Sequence, residues 1–438
     1  MDKVTCRRSI RTAGFLRLSL LAAVVYSANS NSADIGAAFS LGVGYTDNIN
    51  FDPVDGVDET IAITGVAFSF IEATRKVDAD VRGNLDYYNY LEDTNDSEVV
   101  AALDALIDID VVQDRLQWLI QDNYGRSTFD PFMPARPENL ENLNFLTTGP
   151  TIILYQGTRN DSGIDLRYSR LDYETRPFDN ERQSALIWIR REVRRDQWLS
   201  INADAERIEF DNDGLTPDYK RRSAYLRYEG TLGRNLLDIS AGYTEQEILS
   251  DTGDGILLNA SWIHQFSSLS QFTLNAGRQF ADQGNVFRYQ QDISRDLDSV
   301  GDLTEDGSPF RMDNVDFLYS LTGERTALAF TVGVSEQRYE TQSQNDRDDA
   351  WIDLFAQRDL TRSLFGNIDV RFQRREFPNI ARDDDTLSAS LRFGYRFSAA
   401  IDLSLRYTYQ TRESSVTTDG FDENRGDLIL TYTPAWGR

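Results

Sequence analysis

The sequence predicts an all-β fold: a transmembrane up-and-down antiparallel β-barrel of about 20 strands (roughly 18–22), with long acidic extracellular loops and short periplasmic turns. Three observations predict it. Apolar and polar residues alternate with a period of two in segment after segment. The connections between those segments alternate in length, one long and acidic, the next a tight turn. A basic and then apolar leader sends the chain out of the cell. A barrel satisfies such a chain in lipid because closure gives every backbone N–H and C=O a partner.

The leader spans residues 1–33. Lys3, Arg7, Arg8, Arg11 and Arg17 form its basic region, Phe15 to Tyr26 its apolar run and Ser27 to Ala33 a small-residue cleavage zone. The apolar run is too short to cross a bilayer as a helix. Cleavage is expected after Ser30 or Ala33. Cys6, the only cysteine, leaves with the leader. The remaining chain, 34–438, reads as one outer-membrane barrel domain without disulfides or thiol chemistry. The whole sequence has 45 basic and 71 acidic residues; removing five basic residues and Asp2 leaves 40 and 70, a net −30. Such a chain does not seek nucleic acid.

The strands follow in order. Ile35, Ala37, Phe39, Leu41, Val43 and Tyr45 alternate with small or polar residues. Val77, Ala79, Val81, Gly83, Leu85 and Tyr87 do the same, as do Ile256, Leu258, Ala260, Trp262, His264 and Phe266. Toward the C-terminus come Leu364 to Phe372, Leu387 to Tyr395 and Ile401 to Tyr409, each on every second residue. The opposite face is strongly polar on nearly every strand. A dry sandwich core would not tolerate that, whereas a wet lumen with an apolar exterior does.

The long connections are Asp47–Glu59, Glu92–Glu98, Thr128–Asn144, Glu174–Arg182, Asp211–Asp218, Ser250–Gly255, Ala281–Arg311, Thr341–Asp349, Pro378–Asp385 and Glu413–Gly426. Short turns such as Thr74-Arg75-Lys76, Gln113-Asp114 and Arg194–Asp196 lie between them. Both chain ends then fall on the short-turn, periplasmic side. Aromatics near strand ends, Tyr45, Tyr124, Tyr173, Trp198, Phe210, Phe280, Phe397 and Trp436, are expected to form two interfacial girdles. The last strand runs into Tyr432, and its final aromatic, Trp436, stands two residues before Arg438.

Little in the chain suggests catalysis, a cofactor or a metal site. His264 is the only histidine and shares register with Leu258 and Trp262, so it should point outward near the membrane interface. No nucleophile elbow, phosphate loop or zinc spacing is present. Two groups, Asp346, Asp348 and Asp349, and Asp52, Asp55 and Asp58, are close in sequence. Their oxygens suit loose bridging of divalent cations to lipopolysaccharide phosphates.

The inward register is more informative. If apolar residues face lipid, Arg167, Arg190, Arg227, Arg371, Arg392, Arg396 and Arg406 face the lumen, with Asp165, Asp204, Asp369 and Asp402. Opposed arginines and carboxylates either set up a field for polar solutes and anionic polymers or pair with each other and fill the barrel. Arginine suits carboxylate and phosphate because its fork bonds them bidentately.

The stretch Gly42-Val43-Gly44-Tyr45-Thr46-Asp47-Asn48-Ile49 resembles the opening strand of a family of outer-membrane β-barrel porins whose genes lie beside extracellular polysaccharide and exosortase (PEP-CTERM sorting) genes. Leu146-Thr147-Thr148-Gly149-Pro150 is similar too. The resemblance implies a polysaccharide-linked barrel of the Gram-negative outer membrane and offers no catalytic residues. The expected function is passage of polar solutes or exported polysaccharide, with the Ala281–Arg311 and Thr128–Asn144 loops as inward constrictions. The alternative is a non-transporting anchor for export machinery. Expected partners are outer-membrane lipid and lipopolysaccharide, the barrel-assembly machinery and polysaccharide-export components.

Overall fold

A computed structural model describes residues 33–128, 130–212, 216–249, 251–287 and 307–435. The expected leader, apart from Ala33, and Trp436 lie outside the described residues. The described chain forms 20 strands. The first ten are β1 Asp34–Thr46, β2 Glu59–Ala73, β3 Val77–Tyr90, β4 Glu98–Val112, β5 Leu116–Thr128, β6 Leu140–Gln156, β7 Asn160–Tyr173, β8 Asn180–Arg194, β9 Gln197–Phe210 and β10 Tyr219–Leu232. The rest are β11 Asn235–Ile248, β12 Asp251–Gln265, β13 Ser270–Ala281, β14 Phe310–Thr322, β15 Thr326–Tyr339, β16 Arg347–Asp359, β17 Leu364–Phe377, β18 Arg382–Arg396, β19 Ile401–Ser414 and β20 Phe421–Tyr432.

Each strand pairs antiparallel with its sequence neighbours, and β1 pairs with β20, so the sheet closes on itself. Two ladders are shorter than the others. The closing ladder joins Phe39–Thr46 to Arg425–Tyr432, eight pairs. The β12–β13 ladder joins Leu258–Gln265 to Gln271–Arg278, again eight.

The two faces separate along most strands; Ile71 and Leu106, paired in register with Asp80, are apolar residues exposed on the charged face. Leu41, Leu166, Ile187, Ile201, Leu226, Ile256, Phe393 and Leu405 are exposed on one face, where only lipid can cover them. The other face carries the paired charges described below. Barrels of this width have a lumen too large for side chains alone to fill.

The tight turns lie at the end that also holds Asp34 and Tyr432. Several use a left-handed residue, Asp114 (φ 56°), Asp196 (φ 59°) or Gly233 (φ 65°), the conformation that lets a short hairpin turn follow strand twist. The alternation of connection lengths fails at one place. Ser250–Gly255 is not a long loop: β11 ends at Ile248, β12 starts at Asp251, and those two residues pair. The Asp and Gly content reads as a turn, but the ladder continues through it. The other strands likewise extend beyond their apolar belts, so the connections after β17 and β19 shrink to 378–381 and 415–420.

The girdles also need correction. Tyr45 and Phe397 are exposed, 51% and 62%, on the outer surface. Tyr173, Trp198 and Phe210 point inward: Tyr173 pairs in register with Leu143, and Arg190 lies over the Trp198 ring at 4.7 Å. Nearness to a strand end does not fix the face; parity along the strand does. The periplasmic end instead carries an outer cluster of Phe266, Phe272, Phe317 and Tyr319 around His264.

Candidate constriction in the lumen

The strand register places Arg167, Arg190, Arg227, Arg371, Arg392, Arg396 and Arg406, with Asp165, Asp204, Asp369 and Asp402, on the face opposite the exposed apolar residues. Most of these arginines have a carboxylate beside them. Arg190 meets Asp161 at 2.9 Å, Arg227 meets Asp238 at 2.7 Å, Arg396 meets Asp359 at 2.9 Å and Arg406 meets Asp427 at 3.2 Å. Arg371 lies 3.6 Å from Asp353. Arg167 is 3.9 Å from Asp165 and donates instead to the Pro150 carbonyl at 2.8 Å and to Thr151 Oγ1 at 2.7 Å. Arg392 lies over the Phe365 ring at 5.8 Å, and Asp204 accepts from Ser223 Oγ at 3.3 Å. Asp402 stands opposite Arg396 and Asp369 opposite Ser390 in register. One stretch of wall is less balanced. β3 and β4 turn Asp78, Asp80, Asp86, Asp104, Asp108 and Asp110 inward with Arg82 among them.

Two connections at the long-loop end fold into this space. The first leaves β13. Asp282, fully buried, sits 2.8 Å from Arg182 Nη1 on β8 and accepts from the Tyr219 hydroxyl of β10 at 2.9 Å. Burial alone would lift its carboxyl, but Arg182 and Arg221 outweigh that and hold it below its ordinary value. A helical turn over 283–287 follows. It carries Phe287 into a pocket of Leu143 and Phe145 on β6 and Leu171 and Tyr173 on β7. The turn can approach this closely because residue 284 is glycine. A Cβ there would lie 2.7 Å from Arg182 Nη2 and 3.0 Å from Phe145 Cε2. β13 and β7 are six strands apart, so this segment crosses the interior rather than lying along the wall.

The second connection leaves β5. Asn139 knots it by donating to the carbonyls of Asp130 at 2.9 Å and Pro134 at 2.9 Å, while its Oδ1 accepts from the Asp130 N–H at 2.7 Å. The knotted loop presents Phe132 to β17–β19, six to eight strands from β5 by the shorter way. The Phe132 ring lies 4.9 Å from that of Phe377. Its carbonyl accepts from Arg382 and, at 3.0 Å, from Arg412. Asp384 bridges the two guanidiniums at 2.9 and 2.8 Å. The neighbouring Asp349 is shared by Arg347 at 3.0 Å and Arg375 at 2.9 Å.

Both connections that length singles out thus send described residues, 282–287 and 130–139, into the lumen. The residues that hold them were not foreseen: Arg182, Tyr219, Asp282 and Phe287 for one, Phe132, Arg382 and Arg412 for the other. Parity could have found the arginines, since Arg182 is in phase with Arg190, Arg382 with Arg392 and Arg412 with Arg406. Their segments read as loop because they stand above the apolar belt.

The aspartates close in sequence do not gather oxygens at one point. Asp348 points outward to Arg338 at 2.7 Å while Asp349 points inward. Among the described residues no group of three His, Cys, Asp or Glu side chains is placed to hold a metal ion. His264 faces outward, its Nδ1 2.8 Å from Asn235 Oδ1.

Residues 322–433, from the end of β14 through β20, match the family model described as "Putative beta-barrel porin 2". The closed 20-strand wall is the architecture of an outer-membrane barrel. No curated protein sequence matches the chain. Among solved structures, the chain is similar to OccK2 (OpdF) of Pseudomonas aeruginosa at 12% identity, covering 91% of this chain and 98% of that one, with a TM-score of 0.39. It is similar to a ferric enterobactin receptor of Pseudomonas aeruginosa at 8% identity, covering 92% and 82%, with a TM-score of 0.48. It is also similar to OmpT, an outer membrane protein of Vibrio cholerae, at 10% identity, covering 93% and 99%, with a TM-score of 0.34.

Proposed function

We propose that the protein is an outer-membrane channel for polar solutes or an exported extracellular polysaccharide, narrowed by the 282–287 and 130–139 segments. One observation carries this reading: each loop crosses the lumen and is pinned by inward side chains rather than by contacts among outer loops. Below that level the wall is lined with charged groups that suit hydrated, polar cargo. The barrel is read as non-enzymatic, because its single histidine belongs to the outer surface. Outer-membrane lipid and lipopolysaccharide, the assembly machinery and polysaccharide-export components are its proposed partners.

A specific observation favours the second reading, a non-transporting anchor. Most lumen arginines are already matched by carboxylates, as expected of a barrel filled for stability alone. Planar-bilayer conductance of the refolded, heat-modifiable protein separates the two. Discrete current steps support the channel, and a silent bilayer with a folded barrel supports the anchor.

A further inference from the structure

We propose that Trp351 is the platform of a binding site for the pyranose rings of a neutral polysaccharide chain, with Asp353 and Arg371 as its polar partners. This deepens the channel reading and rests on it for its consequence in transport.

On β16, Ile352 and Leu354 are exposed on the outer face, so Asp349, Trp351, Asp353 and Phe355 face the lumen. Trp351 stands opposite Gly333 of β15 in register. A Cβ at 333 would lie 2.2 Å from Cζ2, 2.5 Å from Cε2 and 2.8 Å from Cη2 of the indole. The six-membered ring therefore fills the space of a missing side chain and lies down along β15, one face against the wall and the other toward the lumen. Three other inward rings are already covered. Arg190 lies over Trp188 at 5.4 Å and Trp198 at 4.7 Å, and Arg396 over Phe365 at 4.6 Å. Trp351 is half-buried, and no ring or guanidinium of the described residues lies over it.

The polar groups beside this face suit hydroxyls. Arg371 Nε lies 3.6 Å from Asp353 Oδ1, beyond hydrogen-bond length, and that oxygen has no other partner. Both side chains are partly exposed. Neighbouring hydroxyls of a sugar can take up the two of them, one accepting from the guanidinium and one donating to the carboxylate. The pair sums to zero charge, which fits neutral cargo. A pyranose ring divides its surface in the same way, with an apolar face of C–H groups and hydroxyls around the rim.

Four residues further along, Phe355 turns a second half-buried ring to the lumen, about 14 Å away along the strand. It stands opposite Ala329, whose side chain is small. Two aromatic faces on one strand match a chain of sugars better than a single one. Trp351 is the next inward residue below Asp349, so a chain passing the 130–139 crossing meets it first on this side.

The test is calorimetric titration of the folded, heat-modifiable protein in detergent with cellopentaose, mannitol and a galacturonate pentamer. Cellopentaose is expected to bind. Mannitol, which has the hydroxyls without a ring face, is expected not to bind. Trp351→Ala is expected to weaken cellopentaose binding about tenfold, and Trp351→Phe, which keeps an aromatic face, to retain most of it. Arg371→Gln is expected to weaken it about threefold or more; it carries the test alone should Trp351→Ala fail to fold. Equal binding of mannitol, or unchanged affinity in either Trp351→Ala or Arg371→Gln, overturns the proposal. Tighter binding of the galacturonate pentamer than of cellopentaose overturns the assignment to a neutral chain. Bilayer recordings on the same preparations keep the two readings apart. Binding without conductance leaves the site and removes the channel; conductance without binding does the reverse.

Discussion

Asp282 and Arg182 face each other at 2.8 Å with both side chains almost wholly buried, joining the end of β13 to β8 across the lumen. Removing one partner of such a pair leaves an uncompensated buried charge, which costs roughly 3–5 kcal/mol. Arg182→Ala should therefore release the 282–309 loop. Single-channel conductance and the rate of proteolysis within that loop should both rise. Unchanged values in a folded variant would mean that Phe287 alone holds the loop.

The same pair sets a pH response. Asp282 has a carboxyl held below its ordinary value, so its contribution to docking is fully present above the unfolded pKa, about 3.9. It is lost as pH falls through the lowered native value. Conductance should stay level from neutral pH down to about pH 5 and change only below the ordinary carboxylate range. In Asp282→Asn that acid change should vanish. A transition near pH 6 would point to some other group.

Docking of the helical turn depends on one aromatic side chain and one missing one. Phe287→Ala empties the pocket of Leu143, Phe145, Leu171 and Tyr173, a loss of about 3–5 kcal/mol for a buried Phe. Gly284→Leu drives a side chain into Arg182 and Phe145. Each should raise proteolytic cleavage within 282–309 while leaving the wall's thermal transition nearly unchanged. A matching fall in both would make the loop part of the barrel core.

Deleting residues 283–307 removes that crossing altogether. The expected result is a larger conductance step, and an unchanged step would place the narrowest point at the 129–139 loop. Deleting both crossings should give the largest step of all.

Ion selectivity should follow the wall of β3 and β4, where inward aspartates outnumber arginine. The reversal potential in a salt gradient is expected to show preference for cations. Asp104→Asn with Asp108→Asn should reduce that preference. Anion preference in the unaltered protein would mean that the arginines of β16–β20 control the current.

The strand framework was legible because a period of two must recur wherever one face meets lipid and the other water. Leu41 and Leu405 announce their face by themselves. The girdle residues did not, because Tyr173 and Trp198 sit at strand ends on inward parity. The docking residues were hidden for a different reason. Asp282 and Arg182 meet only when the barrel has closed, and no local pattern records a contact between strands five apart. Length did point to both crossing loops, since chain that is not needed to turn a hairpin must go somewhere.

The two eight-pair ladders divide the wall into unequal panels, β1–β12 and β13–β20. Each panel is held internally by longer runs of backbone hydrogen bonds in nearly every case. Pulled sideways, the cylinder should split along those two lines before any other, as a barrel made of two staves. The crossing at 130–139 leaves the larger panel and ends on the smaller one, while the crossing at 282–287 starts from the smaller and ends on the larger. They act as cross-ties between staves, and a variant that frees them should lower the force at which the cylinder opens.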